Sequence, residues 1–322
     1  LVAATFFRTI RMARCITIAA AQSGPVTRRE SRRSVVERRV VQLRQAAAQA
    51  ADLVVFPEVA LTAFFPHWWI ADERELDAWF EREMPGPDVE PLFAEARRLG
   101  VAFTLGYAEL VEQGGRKRRF NTSVLVDKTG AIVGKYRKLH LPGHDDHRPH
   151  NPFQNLEQRY FEVGDLPLAA WPLGDARIGM CICNDRRWPE TYRVLALAGA
   201  EVIVLGYNTP DHIPEHPGMD RLVPFHNRLC MQAGAYQNGA WVVGVAKGGV
   251  EEGVSQIGDS VIVAPSGEVV AAAATLGDEV IVHRCDLDLV TEYRTLFNFT
   301  RNRRPDCYGP ITRPGAAPAR GP

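Results

Sequence analysis

Hydrophobic positions along the chain fall into short apolar runs that alternate with stretches of helical spacing. Cys15–Ala21 reads as a strand. Thr27 with Glu30 three residues on is a capping box opening a helix, on which Val36, Val40, Leu43 and Ala47 share one face. Asp52–Phe56 is a short buried strand running into Pro57-Glu58. Helices are predicted over Asp72–Glu83 and Asp88–Leu99, parted by Pro85-Gly86-Pro87, the second closing at Gly100. Strand signals follow at Val101–Tyr107, Phe120–Val126 and Ala131–Tyr136, with Asp127–Gly130 turning between the last two. Leu141–Asp165 has little periodicity and reads as a long loop, a feature that is usually functional or disordered. Alternation resumes with strands at Ile178–Ile182, Val202–Leu205 and Trp241–Ala246 and helices at Thr191–Ala198 and Asp220–Gln237. Ser260–Ala264, Glu268–Ala272 and Val280–Cys285 add strands, and Leu287–Leu296 a last helix.

Strands with helices between them imply α/β layers, helices outside and sheets buried. No linker, composition shift or repeat divides the chain, so one domain is expected over residues 13–297. Residues 298–322, rich in Arg, Pro, Gly and Ala, are expected to lie extended across a surface or a partner subunit. Residues 1–12 read as a lead, disordered or foreign to the native chain, with Met12 a plausible natural start.

The 38 basic and 38 acidic side chains cancel, so the totals carry no footprint of nucleic acid or an anionic membrane. No apolar run is long enough to cross a bilayer. Arginines crowd Arg28–Arg39 but share it with Glu30 and Glu37, which reads as a solvated helix face. The six scattered cysteines suit free thiols in a reducing, cytoplasmic compartment. Cys181 and Cys183 are expected on one strand face, poorly placed to bridge. Asn121-Thr122-Ser123 fits a glycosylation acceptor, without meaning in that compartment.

Cys183 ends the apolar run Arg177–Ile182 and precedes Asn184-Asp185-Arg186-Arg187-Trp188-Pro189-Glu190. Strand, sharp turn, helix is a setting that exposes a nucleophile beside backbone N–H groups able to face an oxyanion. A free thiol is mostly protonated at neutral pH and needs help. Glu58, just beyond a buried strand, suits a proton acceptor; its other reading is a capping or ion-paired carboxylate. Lys138 suits a fixed cation for a tetrahedral intermediate; its other reading is a solvated lysine. Glu157, in the long loop, suits a second carboxylate orienting Lys138. Arg186 and Arg187 suit a substrate carboxylate, or a salt bridge with Asp185 that braces the elbow. The series His140, His144, His147 and His150 lacks the tighter motif of a zinc site, so no metal is expected. Lys247-Gly248-Gly249 lacks a phosphate-loop pattern and reads as a loop.

Three segments, Phe56-Pro57-Glu58, Gly134–His140 and Cys181–Glu190, resemble in order and separation the three signatures of the nitrilase (carbon–nitrogen hydrolase) superfamily. A closer resemblance, from about Ile16 to Gly309, is to the N-carbamoyl-D-amino acid amidohydrolases, or D-carbamoylases. It rests on Leu61–Pro66, Glu83–Pro87, Gly106–Leu110, Arg118–Ser123, Gly206–Pro210 and Met231–Trp241. The resemblance implies a four-layer αββα sandwich that associates into homodimers or homotetramers. It implies Cys183 as nucleophile, Glu58 as general base, Lys138 as oxyanion stabiliser and Glu157 as supporting carboxylate. Arg186 and Arg187 would hold the substrate α-carboxylate, with Asn184, Asn208, Thr209 and Asn155 around it. Asn155 departs from the family, which usually carries a histidine there; asparagine donates a hydrogen bond but carries no charge.

The activity so implied is cofactor-free hydrolysis of N-carbamoyl-D-amino acids to amino acid, carbon dioxide and ammonia through a thioester. Another amidase of the superfamily, a β-ureidopropionase or ω-amidase acting on a small anionic amide, is the nearest alternative. A catalytically silent binding module and a histidine-loop metal protein are the readings from other classes.

Overall fold

The apolar runs become strands buried on both faces. The computed structural model describes residues 13–313; the expected lead and the end of the tail lie outside the described residues. In chain order the elements are β1 (Cys15–Gln22), α1 (Arg32–Ala47), β2 (Leu53–Val55), α2 (Glu73–Asp77), α3 (Glu90–Leu99), β3 (Ala102–Gln113), β4 (Arg116–Val126), β5 (Ile132–Arg137) and α4 (Glu157–Tyr160). There follow β6 (Ala170–Leu173), β7 (Ala176–Ile182), α5 (Pro189–Leu197), β8 (Val202–Tyr207), α6 (Val223–Asn238) and β9 (Trp241–Ala246). Last come β10 (Gly248–Glu251), β11 (Val254–Ile257), β12 (Val261–Val263), β13 (Val269–Ala272), β14 (Glu279–Asp286) and α7 (Asp288–Phe297).

Two six-stranded sheets result, in the orders β14-β1-β2-β3-β4-β5 and β13-β12-β9-β8-β7-β6, beside a β10-β11 ribbon. In each sheet the three strands β1-β2-β3 or β7-β8-β9 are parallel and the others antiparallel. Alternate residues explain the layering. Ile18, Ala20 and Val55 point between the sheets, where they join Leu125, Ile178, Met180, Val204 and Val243. Ala19, Ala21, Val54 and Phe56 point outward, against Val36 and Leu43 of α1 and Phe93 and Ala96 of α3. A strand covered on both sides has no polar face, hence its continuous apolar run. Helices α5 and α6 cover the second sheet. The result is the expected αββα sandwich.

Several local expectations are corrected. Helix α1 opens at Ser31, whose side chain accepts from Ser34 N, while Glu30 reaches back to Thr27 N within the preceding turn. The arginine-rich face is not wholly solvated: Arg39 is fully buried, donating to Ala60 O, Gln42 and Ser23. The helix expected over Asp72–Glu83 shortens to α2, because Trp79 and Phe80 turn into an aromatic cluster with Phe65. Gly248 and Gly249 belong to β10 rather than a loop, and Lys247 is buried against Glu251 and Thr62 O. Residues 298–313 run beside α5 and α6, with Phe299 against Tyr236 and under Arg193.

Candidate active site

Four strand ends converge at one edge of the sandwich. Glu58 follows β2: Phe56 N still donates to Thr104 O in the ladder, and Pro57, with no N–H, ends it. Lys138 follows β5, its own N held by Asn121 O. Cys183 follows β7 and Asn208 follows β8. Two glycines let the Pro57-Glu58 backbone lie this deep. A Cβ at Gly106 would fall 2.6 Å from Pro57 O, and one at Gly206 would overlap Glu58 N.

Cys183 is not on the strand face with Cys181. Its φ of 45° lies in the left-handed region, which costs a non-glycine residue roughly 1–2 kcal/mol. Asp185 holds that turn. Fully buried, it accepts from Ile182 N at 3.0 Å, Tyr136 Oη at 2.7 Å and His140 N at 3.0 Å, and it contacts His140 Nδ1 at 2.6 Å. His140 in turn stacks on Trp188. The expected alternative brace, an Asp185–arginine salt bridge, does not form: among the described residues Asp185 is the acceptor of this other set.

Asn208 ties the thiol to the carboxylate. Cys183 Sγ donates to Asn208 O at 3.5 Å, while Asn208 N and Nδ2 donate to Glu58 Oε2 at 3.0 and 3.1 Å. Glu58 Oε1 accepts from Lys138 Nζ at 2.8 Å and Asn121 Nδ2 at 2.8 Å. Lys138 Nζ also donates to Glu157 Oε2 at 2.5 Å. Glu58, Lys138 and Glu157 are all buried. Of three ammonium donors, two are committed and one is left.

Charge in so dry a site is governed by its neighbours. Burial pushes the Cys183 thiol up, to about 11; the Glu58 charge adds to this, while Lys138 and Arg186 oppose it. Burial also lifts the Glu157 carboxyl, to about 7, with Lys138 pulling the other way. Burial works against the Lys138 charge, but Cys183, Glu157 and Glu58 together hold it above the ordinary lysine value.

The two arginines divide. Arg186 is buried and committed: Nη1 donates to Cys183 O at 2.7 Å and lies 3.7 Å from Sγ, Nη2 donates to Thr209 Oγ1 at 2.8 Å, and the guanidinium sits over Tyr207. Arg187 is exposed and makes no ion pair or side-chain hydrogen bond among the described residues. Both line a cavity of about 210 Å³ with Cys183, Glu157, Asn184, Asn208, Thr209 and Asn155. The structure thus gathers the residues expected to act on or bind substrate, Glu58 and Lys138 lying behind the cavity wall. The histidine series spreads out instead: His140 on Asp185, His144 on Asp146 O, His147 on Trp69. Among the described residues no three His, Cys, Asp or Glu side chains cluster as metal ligands.

Sequence reading missed Asn121 and Tyr136. Asn121 stood out only as a glycosylation pattern, whereas it is buried against Glu58. Nothing in the chain marks it, because its role depends on pairing between β3, β4 and β5.

A thiol and one carboxylate line a small cavity at the edge of an αββα sandwich, with a second carboxylate and an ammonium buried behind its wall, an arrangement that could activate the thiol as a nucleophile. The particular family follows from comparison: residues 17–295 match the carbon-nitrogen hydrolase family, to which this chain belongs. The chain is 30% identical over 278 residues to N-carbamoylputrescine amidase of Arabidopsis thaliana, covering 83% of this chain and 86% of that one. It is 33% identical over 256 residues to an (R)-stereoselective amidase of a Pseudomonas species, covering 79% and 80%. A carbon-nitrogen hydrolase from Helicobacter pylori G27 superposes with a TM-score of 0.79 at 24% identity, covering 93% and 99%, which shows the shared fold.

Proposed function

We propose that this protein hydrolyses N-carbamoyl-D-amino acids to the amino acid, carbon dioxide and ammonia. The observation that carries the reading is Arg187, a cation without an ion-pair partner among the described residues on the wall of the cavity that holds Cys183. A substrate carboxylate supplies the partner that the fold withholds. An amine-ended carbamoyl compound such as N-carbamoylputrescine would instead set a cation against it. The names of the two relatives add support, one for a carbamoyl nitrogen and one for stereoselectivity.

In the reaction Glu58 takes the Cys183 proton and the thiolate adds to the ureido carbonyl. The oxyanion is met by the remaining Lys138 N–H and a backbone N–H near Asn184. Glu58, now protonated, gives its proton to the departing amine, and the C–N bond breaks to leave a carbamoyl thioester. Water deprotonated by Glu58 attacks that thioester, the C–S bond breaks and the released Cys183 thiolate takes the proton back from Glu58; the carbamate formed decomposes to carbon dioxide and ammonia. The high thiol pKa of the resting site fits a nucleophile ionised by its base at the moment of attack. Arg186 positions Cys183 and Thr209. Asn155, on the cavity wall where the D-carbamoylases carry histidine, favours keeping a second reading, an amidase for another small anionic amide.

Ammonia release from matched N-carbamoyl-D- and N-carbamoyl-L-amino acids, with Cys183→Ala as control, tests the reading. Turnover of the D form, abolished in the variant, is expected. Turnover of neither, with Cys183 still alkylated normally, sinks it and leaves the other amides. The exposed apolar side chains Val194, Leu197, Phe297 and Ile311 beside the tail groove support a homodimer, which light scattering tests.

A further inference from the structure

Part of the cavity lining is a run of rings. Phe64 meets His67 at 4.9 Å between centroids, His67 meets Phe153 at 5.2 Å, and Phe153 meets His212 at 6.3 Å, each edge to face. All four line the cavity. His67 is fixed in this row. Its backbone N donates to Phe64 O, its carbonyl accepts from Gln154 N, and only 2% of the residue is open. Nδ1 is sealed and has no hydrogen-bond partner. Nε2 makes no hydrogen bond among the described residues and is not among the sealed partnerless atoms, which leaves it as the ring nitrogen available to the cavity that His67 lines. Burial, with the charge of Lys247, pushes the imidazole down to about 3, so the ring is neutral wherever the protein is folded and active.

A buried polar atom without a partner is costly, and proteins leave few of them. Nδ1 is such an atom and is shut off from the cavity, so Nε2 is the nitrogen through which a substrate can hydrogen-bond this ring. We propose that His67 is a specificity-determining residue of this site. Its Nε2 is an uncharged hydrogen-bonding post that favours carbamoyl amino acids whose side chain bears a neutral hydrogen-bonding atom over hydrocarbon side chains of the same shape. A neutral imidazole nitrogen donates or accepts according to its tautomer, so hydroxyl and carboxamide groups both qualify. A charged side chain is disfavoured there, because it would be desolvated against Phe64 and Phe153. The inference rests on the carbamoyl reading above and names the side-chain class that the reading leaves open.

The test uses N-carbamoyl asparagine and N-carbamoyl leucine, close in shape, in the enantiomer that is turned over. Turnover is followed with the full-length enzyme, and binding by calorimetry with Cys183→Ala. The asparagine-to-leucine ratio of kcat/KM is expected to fall about tenfold in His67→Phe, the equivalent of about 1.4 kcal/mol. The change should lie in KM for the asparagine compound, and circular dichroism with Cys183 alkylation shows that the variant is folded. His67→Gln, whose amide nitrogen reaches a similar position, should restore the ratio. A ratio unchanged in His67→Phe, or unrestored by His67→Gln, overturns the inference while leaving the carbamoyl reading in place. If neither compound binds or reacts although Cys183 alkylates normally, the carbamoyl reading falls and this inference with it.

Discussion

Arg186 holds the residue it serves. Its Nη1 donates to Cys183 O at 2.7 Å and lies 3.7 Å from Cys183 Sγ, so one guanidinium both fixes the elbow's carbonyl and faces the reacting sulfur. With Nη2 spent on Thr209 and Nε sealed, little of it is left for a substrate. The neighbouring Arg187 has no such duties.

Adjacent arginines should therefore fail differently. Arg187→Ala is expected to raise KM for a carbamoyl amino acid roughly tenfold to a hundredfold, the worth of a charge-assisted hydrogen bond, with kcat little changed. The same variant should be indifferent toward a substrate whose carboxylate is amidated. Arg186→Ala should lower kcat on both substrates and raise the pKa for Cys183 alkylation, since the Arg186 charge opposes the upward push of burial. Steady-state kinetics and the pH dependence of iodoacetamide labelling separate the two.

Glu157→Gln should act with opposite signs on two readouts. The Glu157 charge helps to hold the thiol up, so its removal speeds Cys183 alkylation at pH 8. Turnover should nevertheless fall, by roughly a hundredfold or more, as one of the two anchors of Lys138 loses its charge and binds the ammonium less firmly. Stability gives a third readout. The native Glu157 pKa of about 7 stands above its ordinary 4.5, so the fold binds the proton more tightly than the unfolded chain. That contribution is full below about 4.5 and is lost as pH rises through about 7. Glutamine should flatten this loss, measured by denaturant midpoints across the window.

Asp185→Ala should cost roughly 3 kcal/mol, because it strands a buried tyrosine hydroxyl and a backbone N–H. With the turn at φ 45° no longer held, thiol labelling should also lose its selectivity for Cys183. Asp185→Asn, which keeps one acceptor oxygen, should recover part of the stability. Urea unfolding and peptide mapping of the labelled protein give the two answers.

Gly206→Ala places a methyl group where the Glu58 backbone nitrogen already lies. Activity should fall far more than helix content, with a stability loss of roughly 1–3 kcal/mol from the overpacked crossing. Circular dichroism beside turnover checks this; full activity in the variant would deny the close approach.

Charged residues just past apolar runs gave away Glu58, Lys138 and Cys183, since a strand end is visible in one dimension. The buried strands were legible for the same reason, each being apolar through its length. What stayed hidden depends on pairing across the chain. Asn121 reaches Glu58 only because β4 lies between β3 and β5. Asp185 looked like a partner for the arginines beside it, yet Tyr136 of β5 and His140 just beyond that strand claim it. Arg39 sat in a run of solvated arginines, and only the fold around Ser23 and Ala60 shows that it is internal.

The two sheets supply different halves of the reaction: Glu58 and Lys138 extend from one, Cys183 and Asn208 from the other. Neither half-molecule holds the thiol together with Glu58, so the chemistry reports how the sheets are seated on each other. A modest slip between them would part Asn208 from Glu58 while every helix and ladder stayed intact. Labelling of Cys183 is thus a gauge of sandwich alignment, and on heating it should change before circular dichroism records any loss of structure.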